Sequence, residues 1–313
     1  MNTKQIFTCA LDMGKAADPR GKAGVARWLK IMKRNWDDAT PARKKELDAE
    51  RLTNPYMDSR IHFDSGKKVT KALVGIDIGS AEMLLADTLG ADLVISHHPH
   101  GNGLAQLDEV MHLQADLLHA TADVPINVAE AIIRTRSQEI ARKLSPLNHH
   151  QSVDTARLLN ISLISMHTPA DNIVWKHVHD LLAKTKPDTV GDVVDALKKI
   201  PEYQEGLRRG EGPTIFAGER TNRAGKVVAS EFTGGTELGK ELYLHLARAG
   251  VGTVVGMHVA EDARVQAQKH HINIVIAGHM SSDSLGMNPI LDAIESKGIE
   301  IIPCSGLIRV KRT

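Results

Sequence analysis

The chain has 313 residues, of which 25% are charged and 42% hydrophobic, so it has the composition of an ordinary globular protein with one large or two modest domains. The 39 basic and 38 acidic residues nearly balance and no apolar stretch is long enough to span a bilayer, so neither nucleic acid nor a membrane is an expected partner. The only cysteines, Cys9 and Cys304, exclude a disulfide framework and a cysteine-type zinc site, and this usage predicts a cytoplasmic protein.

Residues 1–70 are predicted to form a highly charged, helical N-terminal extension. Five apolar side chains recur in it at helical spacing: Val25, Trp28, Leu29, Met32 and Trp36. The extension ends in the turn-rich stretch 53–60, which is either a surface linker or a loop near a functional site. In the second case Arg60 would bind an anionic substrate group.

From residue 71 the pattern alternates between strands and helices. Residues 72–77 and 92–96 are typical of buried strands, and residues 82–89 between them are typical of a helix. This βαβ pattern predicts a first α/β lobe over 71–172, into which a helical segment, 104–160, is inserted. Ligands collect at the carboxyl ends of parallel strands, where Asp77 and His97 are expected.

The strand 92–96 ends in three histidines, His97, His98 and His100, within a chain that contains 16. Pro99 cannot donate to a sheet ladder, so the strand must stop there. Neutral imidazole is the commonest side-chain metal ligand. Adjacent His97 and His98 therefore favour a metal or phosphate site, and solvated histidines at a polar strand end are the alternative.

Two later strands end in a similar way. One precedes His167 and Asp171, and the other precedes His279 and Asp283. Asp171 is either a functional carboxylate or a helix N-cap, whereas His279 and Asp283 would share one side of a helical turn. Together the strand ends supply three imidazoles and two carboxylates, a set that suits Zn, Fe, Mn, Ni or Co. Five ligands exceed what one tetrahedral zinc needs, so two metals bridged by a carboxylate are predicted.

The remaining chain is predicted to be a helical connection, 173–212, and a second α/β lobe, 213–313. The segment 252–258 resembles 91–97, since both are apolar strands that follow an amphipathic helix and end in histidine. This similarity suggests a weak internal duplication in which two similar lobes face each other and His258 corresponds to His97.

Three motifs resemble the NGG-one-interacting-factor-three-like family of dinuclear-metal-centre proteins, many members of which carry the name GTP cyclohydrolase I type 2. They are Ala91-Asp-Leu-Val-Ile-Ser-His-His-Pro99, His167-Thr-Pro-Ala-Asp171 and Ala277-Gly-His-Met-Ser-Ser-Asp283. The resemblance implies an α/β fold of two similar lobes, two divalent metal ions between them and a homo-hexamer. It also implies five metal ligands: His97, His98, Asp171, His279 and Asp283.

Three features depart from the family pattern. The last carboxylate of the family pattern is usually Glu and here is Asp283. Its shorter side chain could change which metal binds, or whether the carboxylate bridges two metals. His98 and Asp171 are widely separated by the insertion 104–160, and the extension 1–70 is also unusual. The chain thus resembles a distinct, longer branch of the family.

The leading functional hypothesis is a metal-dependent hydrolase that acts on a nucleotide or another small anionic or phosphorylated molecule, GTP ring opening being one case. A metal-activated water would be the nucleophile, His258 and Glu261 the acid/base groups, and His167 the partner that orients Asp171. The alternatives are a non-catalytic protein for metal storage, delivery or regulation, and a structural metal that clamps two lobes.

Overall fold

Two β-sheets form the framework of the chain, and a computed structural model describes them within residues 1–312. The first sheet contains β1 (Ile61–Phe63), β2 (Lys71–Gly75), β3 (Leu93–Ser96), β4 (Ser162–Ser165) and β9 (Glu300–Cys304). The second contains β5 (Thr214–Ala217), β6 (Lys226–Glu231), β7 (Val251–Gly256) and β8 (Asn273–Ile276). The predicted α/β class is confirmed.

Helices cover these sheets on their faces. Those of the first half are α1 (Thr3–Ala17), α2 (Gly21–Asp37), α3 (Pro41–Lys44), α4 (Ser80–Thr88), α5 (Gly101–Ala105), α6 (His112–Ala122), α7 (Ile126–Leu144) and α8 (Gln151–Leu159). Those of the second half are α9 (His167–Thr185), α10 (Val190–Leu197), α11 (Pro201–Arg208), α12 (Leu242–Arg248), α13 (Glu261–Lys269) and α14 (His279–Glu295). Short 3-10 turns lie at Ala49–Leu52 and Leu107–Met111. In the described part of the chain, no helix is long and apolar enough to cross a membrane.

The two sheets share one topology. In the first, β2, β3 and β4 are parallel neighbours and β1 is antiparallel to β4 at the edge. In the second, β6, β7 and β8 are parallel neighbours and β5 is antiparallel to β8 at the edge. The spatial orders β1-β4-β3-β2 and β5-β8-β7-β6 therefore correspond strand for strand, as an internal duplication predicts.

The side chains of the first sheet pack into two separate hydrophobic cores, one on each face, because successive side chains along a strand point to opposite faces. Val74, Ile95 and Ile164 pack with α1 and α14 on one face. Their neighbours Val94 and Leu163 pack with α4 and α8 on the other face. Both faces are therefore buried, as parallel sheets require.

The inserted segment 104–160 also covers the second sheet, although the sequence assigned it to the first lobe. Helices α6 and α7 pack with α12 and α13 over one face of β6–β8, and α9 and α10 cover the other face. Helices α6 and α7 of the insertion and most of the connection 173–212 thus form helical layers of the second lobe, whereas α8 of the insertion packs on the first sheet. A strand pattern shows that a face is buried and does not show which segment buries it.

The last strand also departs from the predicted boundaries. β9 lies inside the range 213–313 assigned to the second lobe, yet it is parallel to β2 in the first sheet, with Ala72 opposite Ile301. β1, from the predicted N-terminal extension, joins the same sheet at its other edge. The first lobe is therefore completed from both ends of the chain.

Candidate metal centre

The carboxyl ends of three parallel strands bring the predicted ligands together. His97 and His98 follow β3, Asp171 lies one turn into α9 after β4, and His279 and Asp283 lie on α14 after β8. The turn into α14 needs glycine, because Gly278 has φ +111° and a Cβ there would lie 2.6 Å from Ser281 Oγ. The two sheets therefore meet with their strand ends facing a common centre.

Asp283 lies at the middle of this cluster. Its Oδ1 is 3.4 Å from His97 Nε2, whereas its Oδ2 is 3.6 Å from His98 Nε2 and 3.5 Å from His279 Nε2. His97 Nε2 is also 3.4 Å from Asp171 Oδ1. Two groups of three donors thus share Asp283, and a third group consists of His97, His98 and His167. The donor atoms within each group lie within 4.8 Å of one another.

The cluster contains polar atoms that the protein leaves without a hydrogen-bond partner. His97, Asp171 and Asp283 are at most 3% exposed. Five of their atoms have no partner among the described residues: both ring nitrogens of His97, Asp171 Oδ1 and both oxygens of Asp283. Leaving buried polar atoms unpaired is costly, and a cation would satisfy them. These buried His and Asp groups could therefore hold a metal ion.

Burial and neighbouring charges set the ionisation of the cluster. Burial lowers the pKa of His97 to about 4, so the imidazole is neutral at pH 7, which is the form that binds metals. Although burial opposes ionisation of Asp283, the surrounding imidazoles of His97, His279 and His98 hold its pKa below the ordinary value. Burial and the charge of Asp283 raise the pKa of Asp171.

His167 is held by a residue that the sequence did not single out. Its Nδ1 donates to Asp58 Oδ2 at 2.7 Å, and Thr168 Oγ1 donates to the same oxygen at 2.6 Å. His167 Nε2 therefore points towards Asp171 Oδ2, 3.6 Å away. Burial opposes its protonation, but Asp171 and the hydrogen bond to Asp58 raise its pKa to about 9. Asp58 lies in the turn-rich stretch 53–60, where a buried carboxylate has no sequence signature.

His98 has a carboxylate partner of its own. Its Nδ1 donates to Asp77 Oδ1 at 2.6 Å, which turns Nε2 towards Asp283. The same hydrogen bond holds the pKa of Asp77 below its usual range. A carboxylate behind the imidazole is the usual arrangement for a metal-binding histidine.

The other residues predicted for the site have different placements. Arg60 is buried and pairs with Asp48 and Glu50, so its placement does not support the expected contact with a substrate anion. Glu261 is exposed in the first turn of α13, pairs with Arg264 at 2.6 Å, and belongs to none of the groups of possible metal ligands among the described residues. His258 borders the cluster, with its ring centroid 5.0 Å from that of His279 and its Nδ1 buried and unpartnered.

A cavity of about 540 Å³ opens beside the cluster. Its lining includes residues of the inserted segment and of the second lobe, together with the side chains around the cluster: His98, His167, His258, His279 and Asp171. Glu231, at the end of β6, also lines the cavity; burial raises its pKa to about 8, and it accepts a hydrogen bond from the Leu238 N–H. Sequence reasoning missed Glu231, since one acidic residue at a strand end gives no distinctive signal.

Neither a family model nor a curated protein matches the chain. Among solved structures, it is similar to a NIF3 superfamily protein from Sphaerobacter thermophilus, with a TM-score of 0.74 and 25% identity over 98% of this chain and 99% of that one. It is also similar to reduced HcgD from Methanocaldococcus jannaschii, with a TM-score of 0.51 and 13% identity over 88% of this chain and 96% of that one, which shows the fold alone.

The similarity at full length agrees with the three motifs that carried the resemblance in the sequence. The same motifs supply the donors that meet at the interface of the two sheets. The fold and the sequence motifs thus point the same way, since both are similar to those of the NIF3 superfamily.

Proposed function

We propose that the cluster binds two divalent metal ions and that the protein is a metal-dependent hydrolase. One observation carries the proposal: Asp283 directs Oδ1 to His97 and Oδ2 to His98 and His279. Each carboxylate oxygen thus belongs to a different group of donors. His97, Asp171 and Asp283 would hold one ion, and His98, His279 and Asp283 the other. Zn, Fe, Mn, Ni and Co all suit this nitrogen and oxygen set.

Bound metals of this kind lower the pKa of a coordinated water and so supply a nucleophile at neutral pH. The chain's own residues would prepare the site for it. Asp77 fixes the ring of His98, and Asp58 fixes the ring of His167 next to Asp171. His258 lies at the border of the cavity beside His279, where it could accept or donate a proton to a bound substrate.

The cavity favours catalysis over metal storage or delivery and over a structural clamp. A site that only holds a metal needs no space beside it, whereas the space here lies within the size range of small-molecule sites. We also propose, from the family resemblance, that the protein is a cytoplasmic homo-hexamer. Light scattering of the purified chain, with six copies as the expected result, tests the assembly.

Metal content and turnover, measured on the same samples, test the function. The protein is purified without chelators, loaded in turn with each of the five metals, and assayed with chromogenic carboxylic and phosphate esters. We expect about two metal equivalents per chain and metal-dependent turnover, both lost in the double variant His97→Ala/His98→Ala. His177→Ala, an exposed histidine on α9, is the matched control. The absence of stoichiometric metal in the wild type would contradict the proposal, and metal without turnover would favour storage or delivery.

A further inference from the structure

We infer that the substrate of this centre is a small molecule with one chelating, singly charged group and an apolar body, rather than a nucleotide or a polyphosphate. The inference rests on the proposed dinuclear centre and adds the class of ligand that the centre takes. It follows from two kinds of side chain that line the cavity beside the cluster. The ionisable ones are called here the polar wall, and the aliphatic and aromatic ones the apolar wall.

The charges on the polar wall suit a single negative charge. Apart from histidines, the ionisable residues that line the cavity are carboxylates: Asp77, Asp171 and Glu231. Two divalent ions would bring four positive charges, of which Asp77, Asp171 and the buried Asp283 would offset three. Glu231 would add no charge because burial raises its pKa to about 8, and a protonated His167 is balanced by its partner Asp58, so the balance would be about +1. Polyphosphates are usually bound by Arg and Lys, and neither lines this cavity within the described residues. A triphosphate would therefore place excess negative charge against this wall.

The apolar wall consists of five side chains. Leu104 and Leu107 come from the inserted segment, Phe232 and Met257 from the ends of β6 and β7, and Ile78 from the end of β2. Leu104 is half-buried, so part of its side chain is available to a ligand, whereas the other four are buried. An apolar group next to the chelating group would be buried against these side chains.

Close packing holds this wall at a fixed distance from the cluster. A Cβ on Gly103 would lie 3.0 Å from the carbonyl oxygen of Asp58, so α5 lies directly against the residue that anchors His167. The glycine-containing loop 233–236 is tied at both ends. Gln114 Nε2 donates to the Thr236 carbonyl and Thr233 Oγ1 donates to Asn172 Oδ1, each at 2.6 Å. The apolar side is therefore a preformed surface.

Two hydroxamic acids separate the contribution of the apolar wall from that of the metals. Acetohydroxamate and benzohydroxamate carry the same singly charged chelating group and differ only in the apolar body. Their affinities for the zinc-loaded full chain are measured by isothermal titration calorimetry, beside those of GTP and pyrophosphate. We expect benzohydroxamate to bind about tenfold more tightly than acetohydroxamate, since burying a phenyl ring removes more apolar surface from water. GTP and pyrophosphate should bind more weakly than benzohydroxamate.

Matched leucine variants test which surface is responsible. Leu104→Asp should abolish the preference for benzohydroxamate while retaining zinc. Leu158→Asp, which changes a leucine that is 86% exposed on α8, should leave the preference unchanged. Both positions are accessible to solvent, so the fold should tolerate the changes.

Three outcomes would overturn the inference. Equal affinities for the two hydroxamates, or GTP binding more tightly than benzohydroxamate, would exclude this substrate class and leave the metal centre intact. An unchanged preference in Leu104→Asp would show that the apolar wall does not contact the ligand. Zinc content is measured before each titration, so a failure of the metal centre itself would be recognised separately, and it would overturn both proposals.

Discussion

Asp58 and Glu211 occupy equivalent places in the two halves of the chain. Each lies three residues before an antiparallel edge strand, since β1 begins at Ile61 and β5 at Thr214. Asp58 accepts hydrogen bonds from the side chains of His167 and Thr168 at the start of α9. Glu211 accepts from the backbone N–H groups of Met280 and Ser281 at the start of α14. Each carboxylate thus anchors the helix that carries a His-x-x-x-Asp pair.

The duplication therefore extends from the sheets to the candidate site. His167 and Asp171 open α9 in the way that His279 and Asp283 open α14, and the distances from histidine Nε2 to aspartate Oδ2 are 3.6 and 3.5 Å. The halves differ in what holds the histidine. Asp58 binds the ring of His167, which is buried, whereas Glu211 binds only backbone and the His279 side chain is 38% exposed. His279 is thus the more accessible of the two to a ligand in the cavity.

Removal of Asp283 should eliminate both metal ions, whereas removal of His279 should eliminate one. The reason is that Asp283 belongs to two groups of donors and His279 to one. Asp283→Ala should retain less than about 0.2 equivalents of zinc and His279→Ala about one, measured by mass spectrometry after gel filtration. The loss of equal amounts of zinc in the two variants would contradict the shared role of Asp283.

The sequence predicted that these side chains would lie together because each follows an apolar run that ends at a histidine or a proline. Such a local pattern fixes where a strand stops, and parallel strands align their ends. The sequence could not place β9 beside β2, or α6 and α7 on the second sheet, because both depend on contacts between distant segments. Asp58 and Glu231 were missed for the same reason: what makes them unusual is burial by other elements.

Replacement of Asp58 should weaken metal binding without unfolding the protein. Asp58→Asn keeps an oxygen acceptor but removes the charge that holds His167 beside Asp171. Loss of a carboxylate behind a histidine near a metal site typically costs about 10-fold to 100-fold in metal affinity. Competition with a fluorescent chelator measures the change in zinc affinity, and circular dichroism checks the fold. Asp64→Asn, at an exposed turn, is the control, and equal zinc affinities in the two variants would exclude this role for Asp58.

Enlargement of Gly286 should separate the two helices that carry the aspartates. A Cβ on Gly286 would lie 2.2 Å from the carbonyl oxygen of Ala170, next to Asp171, so α9 and α14 would have to move apart. Gly286→Ala should lower the free energy of unfolding by about 1–3 kcal/mol, as overpacking usually does, and should also weaken zinc binding. Urea unfolding and zinc titration measure the two effects. Gly239→Ala is the control, because its added methyl group would meet only side chains of Glu241 and Arg136.

Glu231 should make the stability of the protein depend on pH between about 4.5 and 8. Burial raises its pKa from 4.5 to about 8 in the folded state, so the folded protein holds this proton more tightly than the unfolded chain does. The protonated Glu231 therefore contributes to the free energy of unfolding in full below pH 4.5, and this contribution is lost as the pH rises towards 8. Glu231→Gln keeps an acceptor for the Leu238 N–H and cannot ionise. It should match the wild type near pH 4.5 and exceed it at pH 8.5 by an amount on the order of 5 kcal/mol.

Urea unfolding of the wild type and of Glu231→Gln, from pH 4.5 to pH 8.5, measures the difference in their free energies of unfolding. The other titrating groups are common to the two proteins, so their contributions cancel. A difference that grows steadily from pH 4.5 to pH 8 would establish that Glu231 is protonated in the folded protein at neutral pH. Its carboxyl group would then add no negative charge to the wall of the cavity. A constant difference would show instead that Glu231 is ionised in the native state, and the cavity wall would carry one more negative charge.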